Sequence, residues 1–184
     1  MNSVLKVLNT WTLGMELSLK DMSWKPTMFL ALLSGQRVQT LKALALTSMT
    51  LTANKCVFTI DTPLKTTRPG KHLGRIEFFT YEPDRNLSVV QHLQDYIDRT
   101  SHLRGETDQL LIGYQKPPKP VSTNTIARWL ENVMAKAEID ASVYKAHSTR
   151  AAVTSASKGK QVPIDNILCT AGWGSESTFC LVLR

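Results

Sequence analysis

Two residues three positions apart, His147 and Arg150, have the side chains best suited to chemistry in this sequence. On a helix, positions three apart share a face, so the imidazole and the guanidinium would point at one spot. An imidazole can transfer a proton near neutral pH, and a guanidinium can donate two hydrogen bonds to one phosphate. The motif is short, and when it is considered alone a solvated surface pair is the simpler explanation.

The first third of the chain shows three helix starts. Ser18 and Asp21 have the spacing of a capping box, and a second start is predicted at Ser23, with a helix that ends at Gly35. Arg37 then opens a further short helix. Its apolar positions are Val38, Leu41, Leu44 and Leu46.

The middle of the chain alternates between strand and helix patterns. Residues 56–79 are predicted to form a β-hairpin whose basic tip carries Lys65 and Lys71, with a turn at Pro69-Gly70. A helix over 89–99 and a short strand over 110–114 follow. The predicted fold is therefore α+β and mostly α, with helices packed around a small antiparallel sheet.

The last third of the chain is predicted to be helical. Ser122 caps the clearest helix, and two or three further helices are predicted from His147 onward. The apolar face of the Ser122-capped helix consists of Ile126, Leu130, Val133, Met134 and Ala137.

Charge and composition restrict the function. The sequence carries 22 Lys and Arg against 15 Asp and Glu, a net charge of +7 that favours a polyanionic partner, although many proteins are basic for solubility alone. The longest apolar run, 28–33, is too short to span a bilayer, and the N-terminus has no secretory pattern, so we expect neither a membrane partner nor secretion. Three widely spaced cysteines, Cys56, Cys169 and Cys180, indicate free thiols in a reducing compartment and no metal site.

Four motifs in a fixed order resemble those of the tyrosine recombinase (phage-integrase) family. His147-Ser-Thr-Arg150-Ala-Ala, followed by Ala-Gly-Trp173 and Ser-Glu-Ser-Thr-Phe179, is similar to the second conserved box of that family. Leu-Ser-Gly-Gln-Arg37 looks like its first box, and the hairpin with Lys65 occupies the place of its catalytic lysine. The resemblance covers residues 17–179 and is strongest to the eukaryotic mobile-element branch.

The resemblance implies a role for each of these residues in phosphodiester cleavage. Arg37 and Arg150 would hold the non-bridging oxygens of the transition state, and His147 would accept or relay the proton of the nucleophile. Lys65 would protonate the departing 5′ oxygen, with Lys71 as the alternative lysine. Trp173 would donate its indole N–H to a phosphate oxygen, or it is simply a core aromatic residue. The remaining histidines, His72, His92 and His102, are expected on the surface.

The implied partner is DNA, with a homo-oligomer on DNA as a further option. No cofactor is implied. The domain division would be 1–17 as an N-terminal remnant or linker and 18–184 as the catalytic domain, altered after Phe179. The implied location is the nucleus in a eukaryote and the cytoplasm otherwise.

The sequence departs from the family pattern at the nucleophile. The family tyrosine follows the Gly-Trp position by nine or ten residues, where this chain has Val182 and Leu183. Cys180 lies too early to replace it. Without a covalent acceptor no phosphotyrosine intermediate forms, so we expect this chain alone not to cut DNA. The alternatives are a DNA-binding remnant without catalysis and an unrelated basic helical protein with accidental motif matches.

Overall fold

The computed structural model describes residues 2–12, 17–60, 74–140 and 142–160. Within these residues the chain forms helices and one small antiparallel sheet, which confirms the predicted α+β, mostly α fold. None of the described helices is both long and apolar enough to cross a membrane. The helices are α1 (Asn2–Thr10), α2 (Leu19–Ser34), α3 (Val38–Lys42), α4 (Val89–Thr100), α5 (Thr123–Lys136) and α6 (Ser148–Gly159). The strands are β1 (Met49–Leu51), β2 (Lys55–Thr59) and β3 (Arg75–Phe79).

Helix α2 is the central element and begins at the predicted capping box. The Ser18 hydroxyl accepts a hydrogen bond from the Asp21 amide at 3.1 Å and donates one to the Asp21 carboxylate at 2.7 Å. The predicted second start at Ser23 is wrong, because α2 continues through it and the Ser23 hydroxyl donates to the Leu19 carbonyl at 2.8 Å. The predicted end at Gly35 is confirmed. Gly35 has the left-handed φ of 60°, which a glycine adopts without steric cost, and its amide donates to the Ala31 carbonyl.

The core surrounds α2, which packs against α4, α5 and α6. Helix α1 also contributes to the core, through the buried side chains of Val4 and Leu8. The sequence patterns predicted no element in this segment.

The sheet has the order β1-β2-β3, with both pairs antiparallel. The predicted hairpin is confirmed for its two strands, in which Cys56 lies opposite Phe78. Phe58 and Phe78 are both buried and meet edge to face at 6.3 Å. Strand β1 was not predicted, and the tip of the hairpin, with its lysines, lies outside the described residues.

Two predictions in the middle of the chain are corrected. Helix α3 ends at Lys42, so Leu44 lies beyond it, buried, and its carbonyl accepts a hydrogen bond from the Leu110 amide at 2.8 Å. The predicted strand over 110–114 is not a strand. The backbone in this region makes two isolated antiparallel bridges, which join Ala45 to Gln109 and Ile112 to Pro120.

The predictions for the later helices hold where the structure describes them. Helix α4 starts at the expected residue, and α5 is capped by Ser122, whose hydroxyl accepts from the Thr125 amide at 3.2 Å. The predicted apolar face of α5 is buried. Of the helices expected from His147 onward, α6 is observed, and residues 161–184 lie outside the described part.

His92 is not a surface residue, contrary to expectation. It lies between Val89 and Tyr96 on the buried face of α4, where its ring stacks on Phe29 with centroids 5.5 Å apart. Its Nε2 pairs with the Asn86 carbonyl at 2.8 Å. Burial, and next the positive charge of Lys25, lower the pKa of His92 to about 4, so the ring is neutral at neutral pH and its Nε2–H donates this bond. His102 is exposed as expected, and His72 lies outside the described residues.

Candidate functional site

Arg37 is placed by the tight connection between α2 and α3. Gly35 ends α2, and Arg37 takes the N-cap position of α3 with an extended backbone (φ −76°, ψ 155°). Its carbonyl accepts hydrogen bonds from the amides of Thr40 and Leu41, at 2.9 and 3.1 Å. The backbone of Arg37 is therefore fixed, while its side chain remains exposed.

Gln36 is a residue that the motif analysis passed over. Its side chain is buried between the two helices, and its amide oxygen accepts a hydrogen bond from the Thr40 hydroxyl at 3.3 Å. This contact joins the α2–α3 connection to the first turn of α3. Its position between the glycine and the arginine of the first box is the sequence feature by which this residue could have been found.

Arg150 lies in the first turn of α6 and is only 6% exposed. Helix α6 packs against α2, and two threonines anchor the helix around Arg150. The Thr149 hydroxyl donates to the Ala146 carbonyl at 2.8 Å, and the Thr154 hydroxyl donates to the Arg150 carbonyl at 3.0 Å. The guanidinium is thus held on a packed element and is largely shielded from water.

Arg37 and Arg150 are near enough in the fold for the charge of one to act on the other, although they are far apart in the sequence. Burial is the main cause that lowers the pKa of Arg150, to about 10, and the positive charge of Arg37 lowers it further. Two positive charges in one region favour the binding of an anion there. The N-terminal end of α6 carries the positive end of the helix dipole to the same region, which adds to the attraction for an anion.

His147 takes the N-cap position of α6, so it precedes the helix and does not lie within it. Its side chain is exposed, and its carbonyl accepts a hydrogen bond from the Arg150 amide at 3.2 Å. The amide of the preceding residue, Ala146, donates to a carboxylate oxygen of Glu131 on α5, at 3.4 Å. The segment that carries His147 is therefore tied both to α5 and to the turn that holds Arg150.

Three of the five predicted site residues, Arg37, His147 and Arg150, thus lie on two connected parts of the fold: the α2–α3 connection and the start of α6. The other two, Lys65 and Trp173, lie outside the described residues.

A second buried arginine shows what a structural arginine looks like in this protein. The Arg104 guanidinium donates to the carbonyls of Gln109 and Leu110 at 3.0 and 2.9 Å, and to the Thr100 hydroxyl at 2.7 Å. It also lies over the ring of Tyr96, at 5.3 Å from the centroid. Arg104 thus donates to three neighbouring oxygens, and no other cation is among the causes that shift its pKa, whereas the charge of Arg37 acts on Arg150.

The fold is that of the catalytic domain of the tyrosine recombinases. No protein-family model matches the sequence, and no curated protein matches it at a significant level. Solved structures do match. The XerH site-specific recombinase, bound to its difH substrate in a pre-cleavage complex, superposes with a TM-score of 0.72 at 12% identity, over 100% of this chain and 48% of that one.

Two further structures extend the comparison. The XerA recombinase gives a TM-score of 0.72 at 16% identity, over 100% of this chain and 57% of that chain. A lambda integrase dimer bound to a core site gives 0.57 at 13% identity, again over 100% of this chain and 57% of that one. The chain therefore spans about half the length of the recombinases whose fold it shares.

Proposed function

We propose that this chain is a DNA recombination and integration domain that binds the DNA backbone through the site formed by Arg37 and Arg150. The observation that carries the proposal is the packing of α6 against α2 on the tyrosine-recombinase fold, which puts buried Arg150 within range of the charge of Arg37. Two cationic side chains and the N-terminal end of α6 in one region favour a bound anion. The structures that share this fold include recombinases bound to their DNA substrates.

Each predicted residue has a defined role in this proposal. Arg37 and Arg150 bind the non-bridging oxygens of one phosphate, where a planar guanidinium fits better than an ammonium group. His147, which is exposed at the start of α6, accepts or relays the proton of the attacking hydroxyl. Lys65 protonates the leaving 5′ oxygen, and Trp173 donates its indole N–H to a phosphate oxygen. No cofactor takes part in these steps.

The chain alone does not cleave DNA in this proposal, because Val182 and Leu183 provide no nucleophilic atom where the family has its tyrosine. The pocket would then act on a phosphate only if another protomer supplied the nucleophile, which makes a homo-oligomer on DNA part of the proposal. The second candidate is a non-catalytic DNA-binding remnant of a mobile-element recombinase. The lack of a nucleophilic side chain at Val182 and Leu183 favours this candidate as well. Either form would act in the nucleus of a eukaryotic host.

The binding part is tested by titrating labelled duplex DNA at several salt concentrations. We expect the affinity to fall steeply as salt rises, because phosphate contacts release counterions. Arg150→Ala is expected to weaken binding about tenfold, and Arg37→Ala by a similar factor, since each removes charge-assisted hydrogen bonds to phosphate. Arg128→Ala is the matched control, because Arg128 is exposed on α5 and is not part of the site. Affinity that does not depend on salt, or equal losses in all three variants, would contradict the proposal.

The cleavage part is tested with a suicide substrate that traps a covalent intermediate, followed by a denaturing gel. The unaltered chain is expected to give no protein–DNA adduct. A variant that carries Leu183→Tyr within a family-like ending for the last five residues is expected to give one, and the additional change Arg150→Ala should abolish it. An adduct with the unaltered chain would refute the inactive form and would point to Cys180 or an upstream tyrosine.

A further inference from the structure

A second basic site lies at the other end of α2, on a groove between the start of α2 and the end of α5. The groove has a volume of about 470 Å³, within the range of small-ligand pockets. Its lining combines aromatic, amide and cationic side chains. They are Lys20, Trp24, Tyr114, Asn132, Ala135 and Lys136.

Two ammonium groups of this groove converge on one aromatic ring. The Nζ of Lys20 lies 4.5 Å from the centroid of the Trp24 ring, and the Nζ of Lys136 lies 5.5 Å from it. Lys136 also pairs with a carboxylate oxygen of Asp21 at 3.3 Å. Within the described part of the chain Lys20 has no carboxylate at ion-pair distance, so one acid faces two cations and the groove keeps a net positive charge.

Trp24 provides an independent sign of a missing acceptor. The residue is only 4% exposed, and its indole Nε1 is buried with no hydrogen-bond partner among the described residues. Buried N–H groups without an acceptor are rare and costly in folded proteins. The half-buried side-chain amide of Asn132 adds a further potential donor to the same lining.

We infer that this groove binds a phosphate group of a nucleotide, with Lys20 and Lys136 as its cationic partners. A phosphate offers several acceptor oxygens and a negative charge to Lys20, and Lys136 can exchange part of its contact with Asp21 for the anion. The phosphate comes either from a free nucleotide or from a DNA backbone. The site is separate from the Arg37–Arg150 site, because the ten residues of α2 that separate Trp24 from Ser34 span about 15 Å.

The test uses the full chain with ¹⁵N-labelled tryptophan and follows the indole N–H resonance of Trp24, assigned with Trp24→Phe. This resonance reports on the groove and not on the arginine site, so the result is independent of the proposed recombination function. The probes are deoxyadenosine 5′-monophosphate and a short duplex, each compared with sodium chloride at equal ionic strength. We expect a saturable shift with at least one probe and none of comparable size with chloride.

The lysines are tested by the same titration. Lys20→Gln and Lys136→Gln should each raise the dissociation constant about five- to tenfold, because each removes one charged donor. Lys55→Gln, the same change at an exposed lysine on β2, should alter it less than twofold. A response to the mononucleotide alone identifies a free nucleotide as the ligand, and a response to the duplex alone identifies the DNA backbone. No saturable shift with either probe, or an equal loss with Lys55→Gln, would overturn the assignment.

Discussion

Replacing Arg150 by methionine should make the folded protein more stable while it removes the anion site. The fold holds the Arg150 guanidinium at 6% exposure with the charge of Arg37 nearby, and burial and then this charge lower its pKa to about 10. A lowering of this size corresponds to at most about 3 kcal/mol of unfavourable free energy in the charged folded state. Methionine has a similar length and no charge, so it relieves both burial and repulsion.

The net gain is smaller than this upper value, because the hydrogen bonds of the arginine are lost as well. The loss of even one such bond costs about 1 to 1.5 kcal/mol, so we expect Arg150→Met to raise the free energy of unfolding by at most about 2 kcal/mol. For a chain of this size that is a rise in Tm of at most roughly 4–8 °C. The measurement is thermal unfolding in chloride buffer at low ionic strength.

Arg104→Met is the matched comparison. Arg104 is also buried, at 7% exposure, but it donates three hydrogen bonds to neighbouring oxygens. Its replacement leaves buried acceptors without a donor and should lower the free energy of unfolding by about 3 kcal/mol. The same substitution is thus expected to have opposite signs at the two arginines.

Addition of phosphate provides the second half of the test. At ten times the dissociation constant a bound anion stabilises the protein by about 1.4 kcal/mol, and this increment should be lost in Arg150→Met. Phosphate bound in the groove between α2 and α5 would stabilise the unaltered protein and Arg150→Met equally, because the groove is intact in both. The difference between the two proteins therefore reports on the arginine site alone. If Arg150→Met lowers Tm, or if phosphate stabilises both proteins equally, Arg150 is a structural residue and the reasoning is wrong.

Two further predictions concern the core and the α2–α3 connection. The pKa of His92 is lowered to about 4 in the folded protein, whereas its ordinary value is near 6.5. The free energy of unfolding should therefore decrease by up to about 3 kcal/mol as pH falls from 6.5 to 4, as measured by chemical unfolding across this range. If the free energy of unfolding depends on pH equally in His92→Gln, the prediction is contradicted. Gly35→Ala places a Cβ at a φ of 60°, so it should cost about 1 kcal/mol of stability and weaken DNA binding by displacing Arg37. Gly159→Ala is the control: it adds a Cβ in open space at a helical position, so it should lower neither stability nor DNA binding.

Local signals in the sequence predicted the elements that carry the site. The Ser18–Asp21 spacing and the glycine at position 35 predicted both ends of α2, because capping and left-handed turns depend on residues within one helical turn. The serine at position 122 predicted the start of α5 in the same way. The false start at Ser23 has the same origin: a serine hydroxyl can also bond backward to the carbonyl four residues earlier, as it does here.

Contacts between distant residues could not be obtained from spacing. The closeness of Arg37 and Arg150 was expected only through the family resemblance, since no local rule joins two helices so far apart in sequence. His92 looked like a surface residue because its type is polar, yet packing of α4 on Phe29 buries it. The groove between Lys20 and Lys136 likewise exists only because the start of α2 meets the end of α5.

Helix α2 explains how both basic sites can be held in position by one element. Its buried hydroxyls bond to carbonyls of the same helix: Thr27 donates to Ser23 at 2.6 Å and Ser34 donates to Leu30 at 2.5 Å. The helix can therefore be surrounded by core without leaving these groups unsatisfied. The buried ammonium of Lys25 donates to the Trp11 carbonyl, which ties the segment after α1 to the same helix. A site on a packed helix keeps its geometry better than a site on a loop. A destabilising substitution in the core of α2 that touches neither site should consequently weaken both sites together, as measured by the DNA titration and by the Trp24 resonance.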